Sequence, residues 1–221
     1  MANTPKDVID TVIRDYDSID STDADYAGRR VRLLGYLQMI LRYVWNFHEW
    51  TFTYKELAFT IAASANSADI ATVLPDFLEF GYNGSIFDTD RKIRLREKTM
   101  YVLERTRQQM GSSGFNYSYF AVFGGKIQIP YTASSLLNLL AFYRFVAPIL
   151  ADDTTPFTFG LDKYTDTVLL PGLLFRSQQS KQDAREVWGQ MFQQGLVQMS
   201  TIENPVKTGT RKMPLAVRGA W

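Results

Sequence analysis

Cysteine is absent and His48 is the one histidine, so a Ser/His/Asp hydrolase would have to be built on His48 as its base. No GxSxG nucleophile elbow stands anywhere in the chain to receive it. Flanked by Phe47, Glu49 and Trp50, His48 reads as a packed or capping histidine at a change of secondary structure. Missing cysteines also remove thiol nucleophiles, iron–sulfur clusters, cysteine-ligated zinc and disulfides, and suit assembly in a reducing cytoplasm. Asp76, Glu79, Asp88 and Asp90 cluster around one predicted turn, where a carboxylate-dependent hydrolase would need them, but their spacing follows no acid/base pair pattern. Asp162 to Asp166 offers only a fragment of a calcium loop. Gly124-Gly125-Lys126 lacks both the preceding glycine and the following Ser or Thr of a phosphate loop. The expectation is a protein with no catalytic residue, no cofactor and no metal.

Binding chemistry is better represented. Arg91, Lys92, Arg94 and Arg96, with Lys98, make the densest basic run, suited to a solvated strand face, to phosphates or to an acidic face on a neighbouring subunit. Arg29, Arg30 and Arg32 follow seven aspartates spread from Asp7 to Asp25, so one segment could pair with the other across a subunit boundary, or both could be solvated faces. The C-terminal segment from Thr201 to Trp221 carries Lys207, Arg211, Lys212 and Arg218 against Glu203, and is punctuated by Pro205, Gly209, Pro214 and Gly219. Prolines and glycines at that density exclude a helix or a central strand. A tail that merely floats would be polar throughout, yet this one holds Val206, Met213, Leu215, Val217 and Trp221, which ask for a groove. An extended arm gripping a partner is the reading these residues carry, with a disordered terminus without function as the alternative.

The elements that must position these groups can be read from periodicity. Thr4, Pro5 and Asp7 spell a capped helix start, followed by Val8, Ile9, Val12, Ile13, Tyr16 and Ile19 on one face. Thr22 and Asp25 resemble a second capping box ahead of Leu33, Leu34, Leu37, Ile40, Leu41 and Val44. At Trp50 the period drops to two, with Trp50, Phe52 and Tyr54 predicting a strand. Phe77 to Phe87 predicts a hairpin turning at Asn83-Gly84, and Tyr117 to Pro130 another turning at Gly124-Gly125. Ile93 and Leu95 alternate with basic residues as a strand, and Glu97 to Met110 predicts a short helix. Leu136 to Val146 is apolar enough for a central strand covered on both faces. Helical spacing returns from Tyr164 to Gln178, with a break expected at Pro171. A last helix shows Ser180 and Asp183 at its start, a stripe of Ala184, Val187, Trp188, Met191, Phe192 and Leu196, and a C-cap near Gly195. The fold class expected is α+β: a helical bundle made from both ends of the chain, with an inserted antiparallel β domain and an extended C-terminal arm. The boundaries are 1–48, 49–162, 163–200 and 201–221.

Size, charge and hydropathy bound the rest. A chain of 221 residues buries a sufficient core without staples, and a net charge of +1 argues against coating nucleic acid as the main task. Aromatic residues reach 14%, which a thick β core or large interfaces would use. Asn138, Arg144 and Pro148 interrupt the longest apolar run, Leu136 to Leu150, which falls short of the ~20 residues of a membrane span. Met1 to Asp10 shows no signal-peptide pattern, so neither membrane nor export is expected.

Several pieces taken in order carry a family likeness: Tyr43-Val44-Trp45-Asn46-Phe47-His48-Glu49-Trp50-Thr51-Phe52 passing from helix to strand, then Leu74-Pro75-Asp76-Phe77, then Ile127-Gln128-Ile129-Pro130. Phe142-Tyr143-Arg144-Phe145-Val146-Ala147-Pro148-Ile149-Leu150 follows, then an acidic turn and a Gln-rich helical segment with Trp188. From Leu33 to Met199 this order resembles the head-to-tail adaptor proteins of tailed bacteriophages, also called connectors or tail-accessory proteins. The resemblance implies a virion structural protein at the head–tail junction, assembled in the host cytoplasm as a homo-oligomeric ring, a dodecamer, on the portal protein. It implies contact with a downstream tail or nozzle protein, and a central channel through which viral DNA passes. It would make the arm, with Pro205, Val206, Lys207, Arg211, Lys212, Met213, Pro214, Leu215, Val217, Arg218 and Trp221, the portal-binding element. Arg29, Arg30, Arg32, Arg91, Lys92, Arg94 and Arg96 would supply subunit or DNA contacts. A tail terminator, stopper or tail-tube protein without portal contact, and a nucleic-acid-binding module, are the alternatives.

Overall fold

A computed structural model describes residues 4–81, 85–110, 118–150, 152–157, 160–178 and 182–203. The first helix, α1 (Pro5–Thr11), starts where its sequence says it should. Thr4 accepts from the Asp7 backbone N–H at 3.3 Å while the Asp7 carboxylate accepts from the Thr4 backbone N–H at 2.7 Å, closing a reciprocal cap around Pro5. A π-helical turn, Val12–Asp17, continues it as far as Ser18, whose φ of 55° reverses the chain. The long helix α2 (Tyr26–Phe47) follows, burying Leu33, Leu37, Ile40, Leu41, Val44 and Trp45 on one side. The expected Thr22/Asp25 capping box does not form. Asp20 instead accepts from the Thr22 backbone N–H and hydroxyl at 3.0 and 2.9 Å, a short-range turn that outcompetes the cap.

The β region begins four residues later than the alternation predicts. Thr53 donates both its backbone N–H and its hydroxyl to the Trp50 carbonyl, at 3.1 and 2.7 Å, and this winds Thr51–Thr53 into a 3-10 turn. Strand β1 therefore runs Tyr54–Ile61, and is followed by β2 (Ser67–Asp69), the single turn α3 (Ile70–Val73), β3 (Phe77–Glu79), β4 (Ser85–Asp88) and β5 (Ile93–Glu97). Then come α4 (Met100–Met110), β6 (Tyr119–Phe123), β7 (Lys126–Gln128) and β8 (Leu137–Phe145). The sheet order is β1-β8-β4-β5-β6-β7-β2, with β3 also on β8. It is mixed and not wholly antiparallel as expected, because β5 and β6 pair in parallel, Arg96 beside Tyr119 and Glu97 beside Phe120. α4 supplies the crossover that a parallel pair requires.

The predicted hairpin from Phe77 to Phe87 is also corrected. β3 and β4 do not pair with each other. Both lie antiparallel to β8 along the same edge, β3 at Phe145 and Arg144 and β4 at Phe142 to Leu139, as two pieces of one interrupted strand. The predicted turn residues Asn83 and Gly84 lie outside the described residues. β6 and β7 do form the second hairpin, with Gly124 and Gly125 at φ of 59° and 73°, the backbone that a type I′ turn demands. β1 and β2 stand at opposite ends of the sheet order, yet the chain between Ile61 and Ser67 reaches at most ~22 Å. Seven strands laid flat would span about 29 Å. The sheet therefore curls, and the connection is fixed by backbone bonds from Ser64 and Ile129 to Ala133 and Asn66.

Helical structure returns through a 3-10 turn (Leu161–Tyr164) and a π-helical turn (Thr165–Leu169) that pass directly into α5 (Leu170–Ser177). Pro171 stands in the first turn of α5, where the π-helical turn gives way to α-helix, so the helical path changes type there without stopping. The last helix, α6 (Gln182–Glu203), runs straight through Gly195, so the expected C-cap is not there. A Cβ at position 195 would collide with the Thr167 backbone carbonyl, and the glycine is what lets α6 lie against the π-helical turn. α5 packs on both α2 and α6, and α1 packs on α2, so helices from the two ends of the chain meet. One continuous apolar core joins them to the sheet through Trp45, Trp50 and Phe145.

Candidate interaction surfaces

Trp45 and Arg144 connect the helices to the sheet. The fully buried Trp45 indole donates to the Phe145 carbonyl at 2.7 Å, and Arg144 Nη2 donates back to the Trp45 carbonyl at 2.8 Å. Arg144 is 5% exposed, and its remaining donors go to the Thr53 hydroxyl at 3.4 Å and to the Glu79 carboxylate. A buried guanidinium is tolerable only with its donors occupied in this way. Trp50 donates to the Val44 carbonyl at 2.6 Å and stacks on Phe52, which closes the end of α2. His48 lies within this aromatic group, its ring edge-on to Trp50 at 5.0 Å, so the packed reading holds.

The four clustered carboxylates are held by four different sets of partners. Asp76 accepts from Lys55 and, at 2.7 Å, from the Tyr143 hydroxyl. Burial would raise its pKa, but those two hydrogen bonds outweigh burial and leave it below the ordinary carboxylate value. Glu79 pairs with Arg144; Asp88, 1% exposed, accepts from the Asp90 and Arg91 backbone N–H groups; Asp90 accepts from Asn138. Each closes a turn or ties two strands. Asp162 and Asp166 belong to the short helical turns, and no group of three metal-binding side chains occurs among the described residues.

The basic candidates divide. Arg29 pairs with Asp17 and Arg30 with Asp153 inside the subunit, while Arg32 stays exposed. Arg91 stands 4.9 Å over the Tyr131 ring and 3.9 Å from Asp88. Lys92 is exposed at a φ of 58°, and Arg94 and Arg96 point outward from β5, which lies inside the sheet between β4 and β6. The structure therefore does not bring Arg29 to Arg32 and Arg91 to Arg96 into one described contact. α6 continues through Glu203, three residues into the segment read as extended. The arm residues Pro205 to Trp221 lie outside the described residues.

The surface the sequence reading missed is the outer face of α6. Val187 and Met191 were expected in its buried stripe, yet they are 54% and 42% exposed, and Val197 and Ile202 are more than half exposed. The buried side is instead made by Phe192, Gly195, Leu196 and Met199, with Trp188 partly covered. From Val187 to Ile202 the helix contains no charged residue at all. A solvated helix face normally carries charges, so this absence was a legible signal.

Sequence comparison bears on what such surfaces are for. The family model described as SU10 adaptor protein matches residues 3–218, nearly the whole chain. The chain belongs to the SU10 adaptor protein family. This is a family of phage head–tail adaptors, so the resemblance seen in the motifs from Tyr43 to Trp188 is upheld, and the protein is a structural component of a phage virion. No curated protein matches the chain. Among the described residues of this adaptor no helix is long and apolar enough to cross a membrane.

Proposed function

We propose that the protein forms a ring beneath the portal, joins the capsid to the tail and leaves a channel for DNA. The observation that carries this is the family match over residues 3–218, which takes in the folded body and the C-terminal segment as far as Arg218. Two features of the structure support it. Carboxylates that could have served chemistry are each occupied in holding turns and strands, and large helix surfaces are left uncharged and uncovered. In this reading the helices of segments 1–48 and 163–200 form a bundle facing the portal, and segment 49–162 projects its sheet towards tail or nozzle proteins. The ring is a dodecamer of identical subunits. Pro205 to Trp221 lie along the portal, with Met213, Leu215, Val217 and Trp221 in apolar pockets and Lys207, Arg211, Lys212 and Arg218 on acidic ones. Arg32, Lys92 and Arg96 are exposed for subunit or DNA contact.

The test is deletion of residues 204–221 in the full-length background, followed by co-sedimentation with purified portal protein and negative-stain imaging. The truncated subunit should fold, as judged by circular dichroism, and fail to join the portal. Normal attachment of the truncated chain would sink the arm, and failure of the intact chain to attach would sink portal docking altogether.

A further inference from the structure

The uncharged face of α6 has a counterpart on α2. Gly28, Val31, Gly35, Met39, Arg42 and Asn46 recur every three or four residues and form one exposed stripe on the side of α2 opposite its buried face. Val31 is 72% exposed and Met39 50%. Neither glycine is required by the fold, since a Cβ added at position 28 or 35 meets nothing within 4 Å. Glycine in an exposed helix interior weakens the helix, so two of them a couple of turns apart need another cause. Close approach of a second helix is such a cause, because a ridge of larger side chains can settle over the missing Cβ atoms. α6 presents exposed apolar side chains on its outer side, Val187, Met191 and Ile202 along one edge and Val197 along the other, with Gln194 between them. Both faces stay exposed in the folded subunit, so neither covers the other.

Charge says how they would meet. The exposed charges on α2 are Arg32 and Arg42, and neither has a partner among the described residues. The exposed charges on α6 are Asp183 and Glu186, both in its first turns. A parallel alignment would bring those acids towards Asp23 and Asp25, exposed at the start of α2. An antiparallel one sets Glu186 against Arg42, and equal steps along both helices then bring Val197 to Val31 and Gln194 beside Gly35. The amides of Gln194 and Gln198 are left to accept from Arg32 at the flank. Each helix is 22 residues long, about 33 Å, so the seam would be continuous over most of that length.

We infer that the partner of this α2 stripe is the α6 face of a second copy of the same chain, packed antiparallel. Two different patches on one chain make a heterologous contact, which propagates head to tail and closes into a ring when the rotation allows. The inference rests on the ring proposed above and identifies the seam between its subunits.

The chain has no cysteine, so disulfide mapping starts from a clean background. Val31→Cys combined with Val197→Cys, assembled on portal protein and oxidised, should give a ladder of covalent multimers on a non-reducing gel. Either single variant should give none. Gly35→Trp, placed where nothing lies within 4 Å, should keep the native circular dichroism spectrum and lower assembly at least tenfold. Absence of the ladder from assembled rings, or unimpaired assembly of Gly35→Trp, overturns the seam while the adaptor reading stands. Efficient dimers from Val31→Cys alone would replace it with a symmetric contact and also overturn it. A Val197→Cys thiol that becomes reactive only when residues 204–221 are removed assigns the α6 face to the chain's own tail, with the same result. Failure of the unaltered chain to assemble on portal overturns the seam and the ring together.

Discussion

Two regions of this molecule, both rich in large apolar side chains, differ in how those side chains are covered. At the helix–sheet junction the Trp45 and Trp50 indoles and the Arg144 guanidinium all donate hydrogen bonds, and both tryptophan rings are fully covered. On the outer face of α6, Val187, Met191 and Ile202 stand in solvent among glutamines. The junction has specific long-range hydrogen bonds, from the Trp45 indole to the Phe145 carbonyl and from Arg144 to the Trp45 carbonyl, that fix one arrangement of strand against helix. The α6 face has neither such bonds nor the charges that keep a surface solvated. Apolar side chains are thus covered within the subunit in the first place and left uncovered in the second.

The largest effect that could break this contrast is at the junction. Trp45→Ala removes a fully buried indole and leaves the Phe145 carbonyl without its donor, and should cost about 4 kcal/mol in urea denaturation. A cost below about 1 kcal/mol would mean the junction is no better specified than the outer helix face. The same comparison is sharpened by two helical glycines. Gly195→Ala drives a methyl group into the Thr167 carbonyl and should cost about 2 kcal/mol in the isolated subunit, since backbone is the obstacle and cannot swing away. Gly35→Ala meets nothing and should raise the stability of that subunit by about 1 kcal/mol through helix propensity alone. Equal signs for the two would remove the distinction between a glycine the fold requires and one it does not.

What the sequence disclosed followed from the range of the interactions. The cap at Thr4 and Asp7 and the turn at Gly124-Gly125 depend on neighbours a few residues apart, and both stand as read. Leu137 to Phe145 was legible because a strand flanked on both edges is nearly all apolar. The split of β3 and β4 was not legible, because the partner that sets it is β8, about fifty to seventy residues on, and no local turn signal reports that pairing. The parallel contact of β5 with β6 is hidden for the same reason. Periodicity placed Val187 and Met191 on an apolar side, but it carries no information on whether the cover comes from the same chain. Lack of charge from Val187 to Ile202 is a local signal that this side of the helix is not an ordinary solvated face.

The smallest effect lies where the two kinds of region meet, at the last turn of α6. Tyr164, 7% exposed, donates its hydroxyl to Glu203 at 2.6 Å, the last described residue before the basic tail. Burial first, and then that hydrogen bond, push its pKa up to about 12. A phenol raised above its unfolded value of about 10 stabilises the fold fully below pH 10 and loses that contribution as pH rises towards 12. Tyr164→Phe should therefore cost about 1 kcal/mol at pH 8, and the gap from the unaltered chain should close as the alkaline range is entered. A gap that stayed constant with pH would show that the hydroxyl does not tie α6 to its neighbour. The completed, hydrogen-bonded interior would then end before Glu203, and the tail would begin from a free helix end.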